Sequence, residues 1–173
     1  MSLEPVTSPV QAAVPDRWTF RDVVGRFTSG VTVITTVHEG IRRGITVSAF
    51  TSLSDDPPSV VVCLNRKSAT GRAVRVTRRF AVNILTEQQL AHAGSFARRG
   101  DDKFAGIPIV DEAGVPLLDG ALAHLICEVD QDIESGTHVV LLARVTAVWA
   151  RESMPLAYYR GAFGRFVPNP STS

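Results

Sequence analysis

The chain has 173 residues, of which 45% are hydrophobic and 20% charged, and its formal net charge is only +1. This composition excludes intrinsically disordered and collagen-like proteins, and the near-neutral charge gives no global reason to expect nucleic acid as a partner. A chain of this length forms one domain with a substantial core by default. We expect that domain over residues 16–166, between flexible tails at 1–15 and 167–173 that lack periodicity.

Cysteine usage and the absence of targeting signals predict a soluble cytoplasmic protein. Cys63 and Cys127 have neither the CxxC spacing of a zinc or redox motif nor the density of a disulfide scaffold, so both are expected to be buried reduced thiols. The longest apolar runs, "VVVC" and "VVLLA", are far too short to span a membrane. The N-terminus also lacks the basic region and continuous apolar region of a signal peptide.

The first predicted element is a helix that begins after Asp16, a favourable N-cap residue, and is stopped by Gly30. One face of this helix carries the apolar residues Phe20, Val23, Val24 and Phe27. Strands are then expected at 31–37, 44–53 and 59–65, a basic helix from Ser68, a strand at 80–85, a helix from Thr86, and strands at 123–135, 138–150 and 157–166. The helix from Thr86 has capping-box spacing to Gln89 and continues through Leu90, Ala93 and Ala97.

The order of these elements favours a mainly β fold with peripheral helices. Seven strands and a few short helices do not alternate in the βαβ manner, so a parallel dinucleotide-binding sheet is not expected. An antiparallel barrel or sandwich fits the pattern better.

The strand predicted at 44–53 raises a functional question, because one of its faces is polar. Period two places Ile45, Val47, Ala49, Thr51 and Leu53 on one face. The other face carries Thr46, Ser48, Phe50, Ser52 and Ser54. Two interpretations remain open: a solvent-exposed face of an antiparallel strand, or a face that meets a planar polar ligand through hydroxyl and backbone groups.

The stretch from 66 to 79 carries six basic residues and no acidic one. A strand that leads through a polar loop to a helix N-terminus offers free N–H groups, the hydroxyls of Ser68 and Thr70, and a favourable dipole for a phosphate. The alternative is a capped, solvated basic helix. Nucleic acid is disfavoured as a ligand because no aromatic residue is interleaved with these charges.

Two further stretches contain candidate ligand-binding residues. In "ARRGDDKFAGIPI", 97–109, Phe104 needs an apolar surface and Lys103 could reach an anion. His138 begins an apolar strand, where a histidine is either structural or a ligand-binding group. The histidines show no metal-binding spacing and the chain has no GxSxG elbow, so neither a metal site nor a serine hydrolase is expected.

Taken together, several motifs resemble the flavin reductase family, the reductase components of two-component flavin monooxygenases. They are "FTSGVTVITT", "GITVSAFTSLSDDPPSVVVCLN", Ser68, "FAVNIL", "DKFAG", "GVPLLDGALAHLICEV" and "GTHVVLLARV", in the order of the family and between Phe20 and Phe166. The resemblance implies an antiparallel Greek-key split β-barrel of the FMN-binding type.

The same resemblance implies where the cofactors bind. The flavin ring edge is expected at the hydroxyl-bearing strand, at Thr46, Val47, Ser48, Ala49 and Ser52. The ribityl and phosphate groups are expected at Cys63, Leu64, Asn65, Ser68 and Thr70, with the loop of Lys103 and Phe104 closing on the cofactor. His138 matches the family histidine near the nicotinamide, with Tyr158 and Arg160 as looser candidates for that region. The family commonly has Asp where this chain has Thr137, which leaves the group that orients His138 open.

The implied activity is that of an NAD(P)H:flavin oxidoreductase. Such an enzyme reduces FMN or FAD by hydride transfer from NADH or NADPH and supplies reduced flavin to a partner monooxygenase, and it is expected to be a homodimer. The alternatives are a split-barrel oxidase that resembles pyridoxamine phosphate oxidase, and a non-catalytic flavin- or haem-binding module.

Overall fold

A computed structural model describes residues 14–100 and 102–169, so most of the two predicted tails lies outside the described residues. The helices are α1 Arg17–Val24, α2 Ala69–Thr77 and α3 Leu90–Ala97, with a 3₁₀ turn at Glu87–Gln89 before α3. The strands are β1 Ser29–Gly30, β2 Thr32–His38, β3 Ile41–Val47, β4 Phe50–Asp55, β5 Pro58–Asn65, β6 Arg79–Ile84, β7 Ile109–Glu112, β8 Val115–Leu118, β9 Ala123–Ser135, β10 His138–Ala150, β11 Leu156–Tyr159 and β12 Ala162–Arg165. No helix in this part of the chain is long and apolar enough to cross a membrane.

Seven strands form one antiparallel sheet in the order β3-β2-β6-β9-β10-β5-β4. Although β3 and β4 are consecutive in the chain, they lie at opposite edges of this sheet. Val47 of β3 and Phe50 of β4 nevertheless pack against the same core, together with Phe80 and Leu141 from the centre of the sheet. The sheet therefore wraps around one core, which is the predicted antiparallel barrel with peripheral helices.

The wrapped sheet has a clear inner and outer face, because side chains alternate along each strand. On β5, Val60, Val62 and Leu64 are buried in the core, whereas Val61 and Cys63 are only half-buried. The outer residues of β5 are therefore available to a ligand.

The strand predicted at 44–53 is broken at Ser48 and Ala49 into β3 and β4, so the prediction of one strand was wrong. The chain crosses here from one edge of the sheet to the other, since β3 pairs with β2 and β4 pairs with β5. The crossing resets the alternation. Phe50 packs inward although it was expected on the polar face, and Leu53 is 53% exposed although it was expected on the apolar one.

The first helix begins as predicted but ends early. The carboxylate of Asp16 accepts hydrogen bonds from the N–H groups of Trp18 (2.8 Å) and Thr19 (3.1 Å), which confirms the N-cap. The helix ends at Gly25 rather than Gly30. None of the apolar residues of this helix is buried within the chain. The apolar face of α1 is therefore exposed and does not pack on the barrel core as an amphipathic helix normally does.

Two hairpins were not predicted. The segment 157–166 contains β11 and β12 rather than one strand, because Arg160 (φ 47°) and Gly161 (φ 83°) adopt left-handed conformations and reverse the chain. A second hairpin joins β7 and β8. The capping box at Thr86 and Gln89 is confirmed, although it starts the 3₁₀ turn rather than the α-helix itself.

Candidate functional site

Among the clefts on the described part of the barrel, two contain most of the predicted site residues. The first, of about 880 Å³, lies between α1, the crossing at Ser48 and Ala49, and the turn after β11. Three other predicted site residues also line this first cleft: Cys63, Tyr158 and Arg160. The structure therefore brings together residues that are more than 100 positions apart in the sequence.

The second cleft, of about 760 Å³, lies between the start of α2, strand β3 and the loop after α3. It contains the other main group of predicted site residues: Asn65, Ser68, Thr70, Lys103 and Phe104. The predicted ring-binding and phosphate-binding residues thus fall largely into separate clefts.

The outer face of β5 connects the two clefts. Val61 and Cys63 line the first cleft and Asn65 lines the second, and alternate residues of a strand lie about 7 Å apart on one face. The N–H of Cys63 donates to the carbonyl of Ala49 (3.0 Å), so the crossing lies directly beside this face. We call the continuous surface from the first cleft along Val61, Cys63 and Asn65 to the second cleft the groove.

Four of the predicted residues do not present their side chains to the groove. Val47 and Leu64 are 7% and 1% exposed and belong to the core, so only their backbone could meet a ligand. The Thr46 hydroxyl donates to the carbonyl of Ala93 (2.7 Å) and thereby links β3 to α3. Ser52 is exposed on β4 and is not among the described residues that line either cleft.

The start of α2 has the geometry of an anion site. The Ser68 hydroxyl accepts a hydrogen bond from the N–H of Gly71 (2.9 Å) and donates one to the carbonyl of Asn65 (2.7 Å), which confirms Ser68 as the N-cap. A Cβ atom at Gly71 would lie 2.7 Å from that carbonyl oxygen, so glycine is required for the close packing of helix and loop. The N–H groups at the start of a helix have no partner within it, and Ser68, Ala69 and Thr70 at the start of α2 line the second cleft.

Several of the basic residues predicted around α2 are neutralised by acidic residues of β9. The Arg75 guanidinium bonds to Asp132 (2.9 Å) and Glu134 (2.6 Å), Arg78 bonds to Asp132, and Arg66 lies 3.5 Å from Glu134. The hydrogen bond from Arg78 is the main cause that lowers the pKa of Asp132. The helix is therefore fixed to the sheet by charge, and the guanidinium groups of Arg75 and Arg78 are already occupied by carboxylates.

This ion-pair cluster predicts a pH-dependent stability. Because the pKa of Asp132 is lower in the folded state than in the unfolded chain, its stabilising effect is complete above the unfolded value of about 4 and is lost as the pH falls below it. We expect Asp132→Asn to be less stable than the parent at neutral pH and to lose less stability on acidification. Urea unfolding between about pH 7 and pH 3 measures both effects. Asp130→Asn is the control, since that exposed carboxylate forms no ion pair within the described residues, and equal slopes for the parent and Asp132→Asn would contradict the prediction.

The loop after α3 is anchored on β3. The Lys103 ammonium donates to the carbonyls of Gly44 (3.2 Å) and Phe96 (3.1 Å). The Phe104 ring meets the Phe96 ring edge-on, with centroids 4.8 Å apart. Phe104 thus packs on an apolar surface, as predicted. Lys103 donates hydrogen bonds to backbone carbonyls and thereby fixes the loop at the mouth of the second cleft.

His138 begins β10 directly opposite Asn65 of β5, on the outer face of the sheet. Its Nδ1 atom lies 2.8 Å from the Thr137 hydroxyl, so threonine holds the ring at the position where the resemblance implied an aspartate. The histidine lies beside the groove and is not among the described residues that line the two clefts.

At the other end of the groove, Arg160 connects the β11–β12 turn to α1. Its guanidinium donates to Asp22 (2.8 Å) and its N–H donates to the carbonyl of Gly25 (2.8 Å). The pKa of Asp22 is lowered mainly by the hydrogen bond from Arg26 and, in second place, by the hydrogen bond from Arg160. Tyr158 packs against Phe163, with ring centroids 5.4 Å apart.

The structure also adds site residues that the sequence did not single out. Trp18 and Phe27 give the first cleft an aromatic wall. Phe27 was predicted only on the apolar face of the first helix, and Trp18 was not considered. The arginine pairs at 42–43 and 98–99 line the second cleft. The two "RR" dipeptides are the sequence feature from which a basic cleft could have been predicted. No group of three or more potential metal ligands occurs among the described residues.

Comparison with known proteins identifies the family. Residues 24–166 match the family model described as flavin reductase like domain. The chain belongs to the flavin reductase family. This reductase is 49% identical over 153 residues to the reductase component of 4-nitrophenol 4-monooxygenase/4-nitrocatechol 2-monooxygenase from Rhodococcus opacus, covering 88% of this chain and 83% of that relative. It is 38% identical to the reductase subunit of a flavin-dependent monooxygenase from Mycobacterium tuberculosis, over 91% of this chain and 86% of that relative.

Solved structures agree with the architecture of the reductase. An NADH:FAD oxidoreductase of Streptomyces globisporus, in complex with NAD and FAD fragments, superposes with a TM-score of 0.85 at 33% identity, over 89% of this chain and 94% of that chain. Nitrilotriacetate monooxygenase component B from Mycobacterium thermoresistibile gives a TM-score of 0.85 at 38% identity, over 91% of this chain and 92% of that chain. The family resemblance, the split-barrel fold and the activity of an NAD(P)H-dependent flavin oxidoreductase are thereby confirmed.

Proposed function

We propose that residues 16–166 form a domain that reduces FMN or FAD with NADH or NADPH and releases the reduced flavin to a partner monooxygenase. The observation that carries this proposal is the groove, which joins an aromatic cleft to a basic cleft along one face of β5. A flavin has the same order of parts: a planar ring system, a ribityl chain and a phosphate.

The first cleft fits the ring system. Trp18, Phe27 and Val61 supply apolar surface for a planar ligand, whereas the Ser48 hydroxyl and the backbone at Ala49 supply polar groups for a ring edge. A break between two strands is suited to this role, because backbone groups at the crossing are not all used in sheet pairing. Cys63 would then lie beneath the ring or the first ribityl atoms.

The second cleft fits the phosphate, which we place at the start of α2 beside Ser68 and Thr70 with Asn65 on the ribityl side. The close packing at Gly71 keeps the helix N-terminus near β5, where the groove ends. Lys103 and Phe104 act on this end by holding the loop over the cleft rather than by direct charge on the phosphate.

In this proposal the bound flavin and nicotinamide carry out hydride transfer, and the protein supplies orientation and electrostatics. We assign His138 to the nicotinamide side of the groove, with its ring held by Thr137. Tyr158 and Arg160, which were expected in the same region, line the first cleft at the other end of the groove, so the structure separates them from His138. A nicotinamide that meets the flavin ring in the first cleft would lie nearer to Tyr158 and Arg160 than to His138. Backbone N–H groups near the ring edge would stabilise the negative charge of reduced flavin.

The test is the loss of NADH absorbance with purified protein and, in turn, FMN, FAD, riboflavin or no added flavin. Rapid flavin-dependent oxidation is expected, and repeating the assay with NADPH ranks the donors. Oxidation of pyridoxamine phosphate without oxidation of either nicotinamide would support the oxidase alternative. Flavin binding without turnover would support a binding module.

A homodimer is part of the proposal, with α1 in the interface. Trp18, Val23 and Phe27 of this region are 73%, 62% and 82% exposed, which is unusual for large apolar side chains placed so close together. A second copy of the chain would cover them and close the open side of the first cleft.

Val23→Glu tests the dimer, because a charge on this apolar face should disfavour its burial by a second chain. We expect the parent to sediment as a dimer at micromolar concentration and the variant to shift towards monomer. Val76→Glu is the matched control, since Val76 is similarly exposed (67%) on α2. A parent protein that is monomeric would exclude the interface.

The partner and the location remain proposals as well. Because relatives of this reductase are named as components of flavin-dependent monooxygenases, we propose an oxygenase partner that accepts reduced flavin. A cytoplasmic location is supported by the two free cysteines. Cys127 is buried, which raises its pKa to about 12, whereas Cys63 is half-buried in the first cleft rather than buried as predicted. Product formation in a mixture with a candidate oxygenase, dependent on both proteins, would identify the partner.

A further inference from the structure

Three basic side chains that form no ion pair with a described residue line the second cleft together. Most arginines of the described chain pair with a carboxylate, as Arg75 and Arg78 do. Lys67, Arg98 and Arg99 differ, since none of their side chains forms an ion pair or hydrogen bond with a described residue, and all three are exposed at the cleft. Like charges gathered in this way repel one another unless an anion binds between them.

These three cations face the cleft from opposite walls. Lys67 lies at the start of α2, on the wall that carries the proposed phosphate site, whereas Arg98 and Arg99 belong to the loop after α3. No carboxylate occurs among the described residues that line this cleft. The two walls can therefore bind two phosphate groups at once, one on each side.

Other basic side chains of the cleft already have different functions. Arg42 forms an ion pair with Asp111 of β7, and Lys103 donates to two backbone carbonyls. Those contacts fix the cleft wall. They leave Arg98 and Arg99 as the side chains on the α3 wall that can turn towards a ligand, and arginine binds phosphate through two parallel hydrogen bonds.

We propose that Arg98 and Arg99 form a subsite for the second phosphate of a dinucleotide flavin, so that the reductase prefers FAD to FMN. This inference rests on the proposed function, because it places the first phosphate at Ser68. A pyrophosphate could also come from NADH. FAD fits better, since β5 connects the second cleft directly to the ring-binding cleft and both phosphates of one flavin then lie across a single cleft.

The test compares the parent with Arg98→Gln/Arg99→Gln in fluorescence titrations with FAD and with FMN. Loss of two charge-assisted contacts should raise the dissociation constant for FAD by about 10- to 100-fold, while the constant for FMN changes by less than about threefold. Arg144→Gln/Arg151→Gln is the control, because it removes the same charge from β10 and its end, outside the residues that line either cleft. Its affinities for both flavins should remain at the parent values.

Three outcomes would overturn the subsite. Equal weakening of FAD and FMN would mean that the pair only attracts anions at long range. Unchanged flavin affinities would exclude a contact with either phosphate. A raised KM for NADH with FMN as acceptor, at unchanged FAD affinity, would assign the pair to the nicotinamide dinucleotide. A parent protein that binds both flavins equally would refute the preference for FAD, whereas a parent that binds neither would refute the proposed function itself.

Discussion

Replacing Gly44 with alanine is expected to destabilise the protein and to weaken flavin binding together. Gly44 lies in β3 beneath the loop after α3, and a Cβ atom there would lie 2.5 Å from a ring carbon of Phe96 and 3.2 Å from Phe104. Phe96 is fully buried, so its ring cannot move away without disturbing the core. Overpacking of this kind costs about 1–3 kcal/mol of unfolding free energy.

The effect on binding follows from the loop. Phe104 and the contact from Lys103 to the Gly44 carbonyl hold the loop against β3, and the methyl group would push the loop outwards. We expect a severalfold weaker affinity for FMN and FAD, measured by fluorescence titration, alongside the loss of stability measured by urea unfolding.

Gly94→Ala is the matched control for Gly44→Ala. Gly94 lies in α3, close to the same loop, but a Cβ atom there would have no heavy atom within 4 Å apart from its chain neighbours and the backbone of its own helix. Because alanine is favoured over glycine in a helix by about 0.5–1 kcal/mol, this variant should be slightly more stable than the parent. In the double variant Gly44→Ala/Phe96→Leu, the smaller leucine side chain should relieve part of the clash with the new methyl group. The loss of unfolding free energy in the double variant should therefore be smaller than the sum of the losses in the two single variants. Additive losses would contradict the proposed contact.

The sequence predicted those parts of the fold that local periodicity determines. Strands such as β5 and β10 alternate regularly between core and surface, and the capping residues Asp16 and Ser68 mark helix starts through hydrogen bonds made within three residues. Tertiary pairing determines the rest. The break at Ser48 depends on which strands lie at the two sheet edges, which no local pattern records.

The candidate site shows the same division. Residues at the start of α2 could be predicted because a strand, a polar loop and an N-cap lie next to one another in the sequence. The connection between the first and second clefts could not be predicted, because it depends on β5 lying beside the crossing at Ala49. The charge count of the basic stretch was also misleading, since the partners of Arg75 and Arg78 are more than 50 residues away on β9.

Ser68→Asp should weaken FMN binding strongly while leaving the fold intact. Aspartate is as good an N-cap as serine and its charge suits a helix N-terminus, so the hydrogen bond to the Gly71 N–H should survive and α2 should still form. The hydrogen bond from the Ser68 hydroxyl to the Asn65 carbonyl is lost, because a carboxylate only accepts. The same charge would repel a phosphate bound at this helix start. We expect the dissociation constant for FMN to rise by about 10- to 100-fold at low salt, and by less at high salt because exposed charges are screened.

Riboflavin makes this prediction specific to the phosphate, because it has the ring and the ribityl chain of FMN but no phosphate. Its affinity should be nearly the same for the parent and for Ser68→Asp. Ser68→Thr, which keeps a hydroxyl at the N-cap, should bind FMN like the parent. If riboflavin and FMN lost affinity equally, the substitution would be acting on the shape of the groove; if FMN affinity did not change, the phosphate would have to bind elsewhere than at the start of α2.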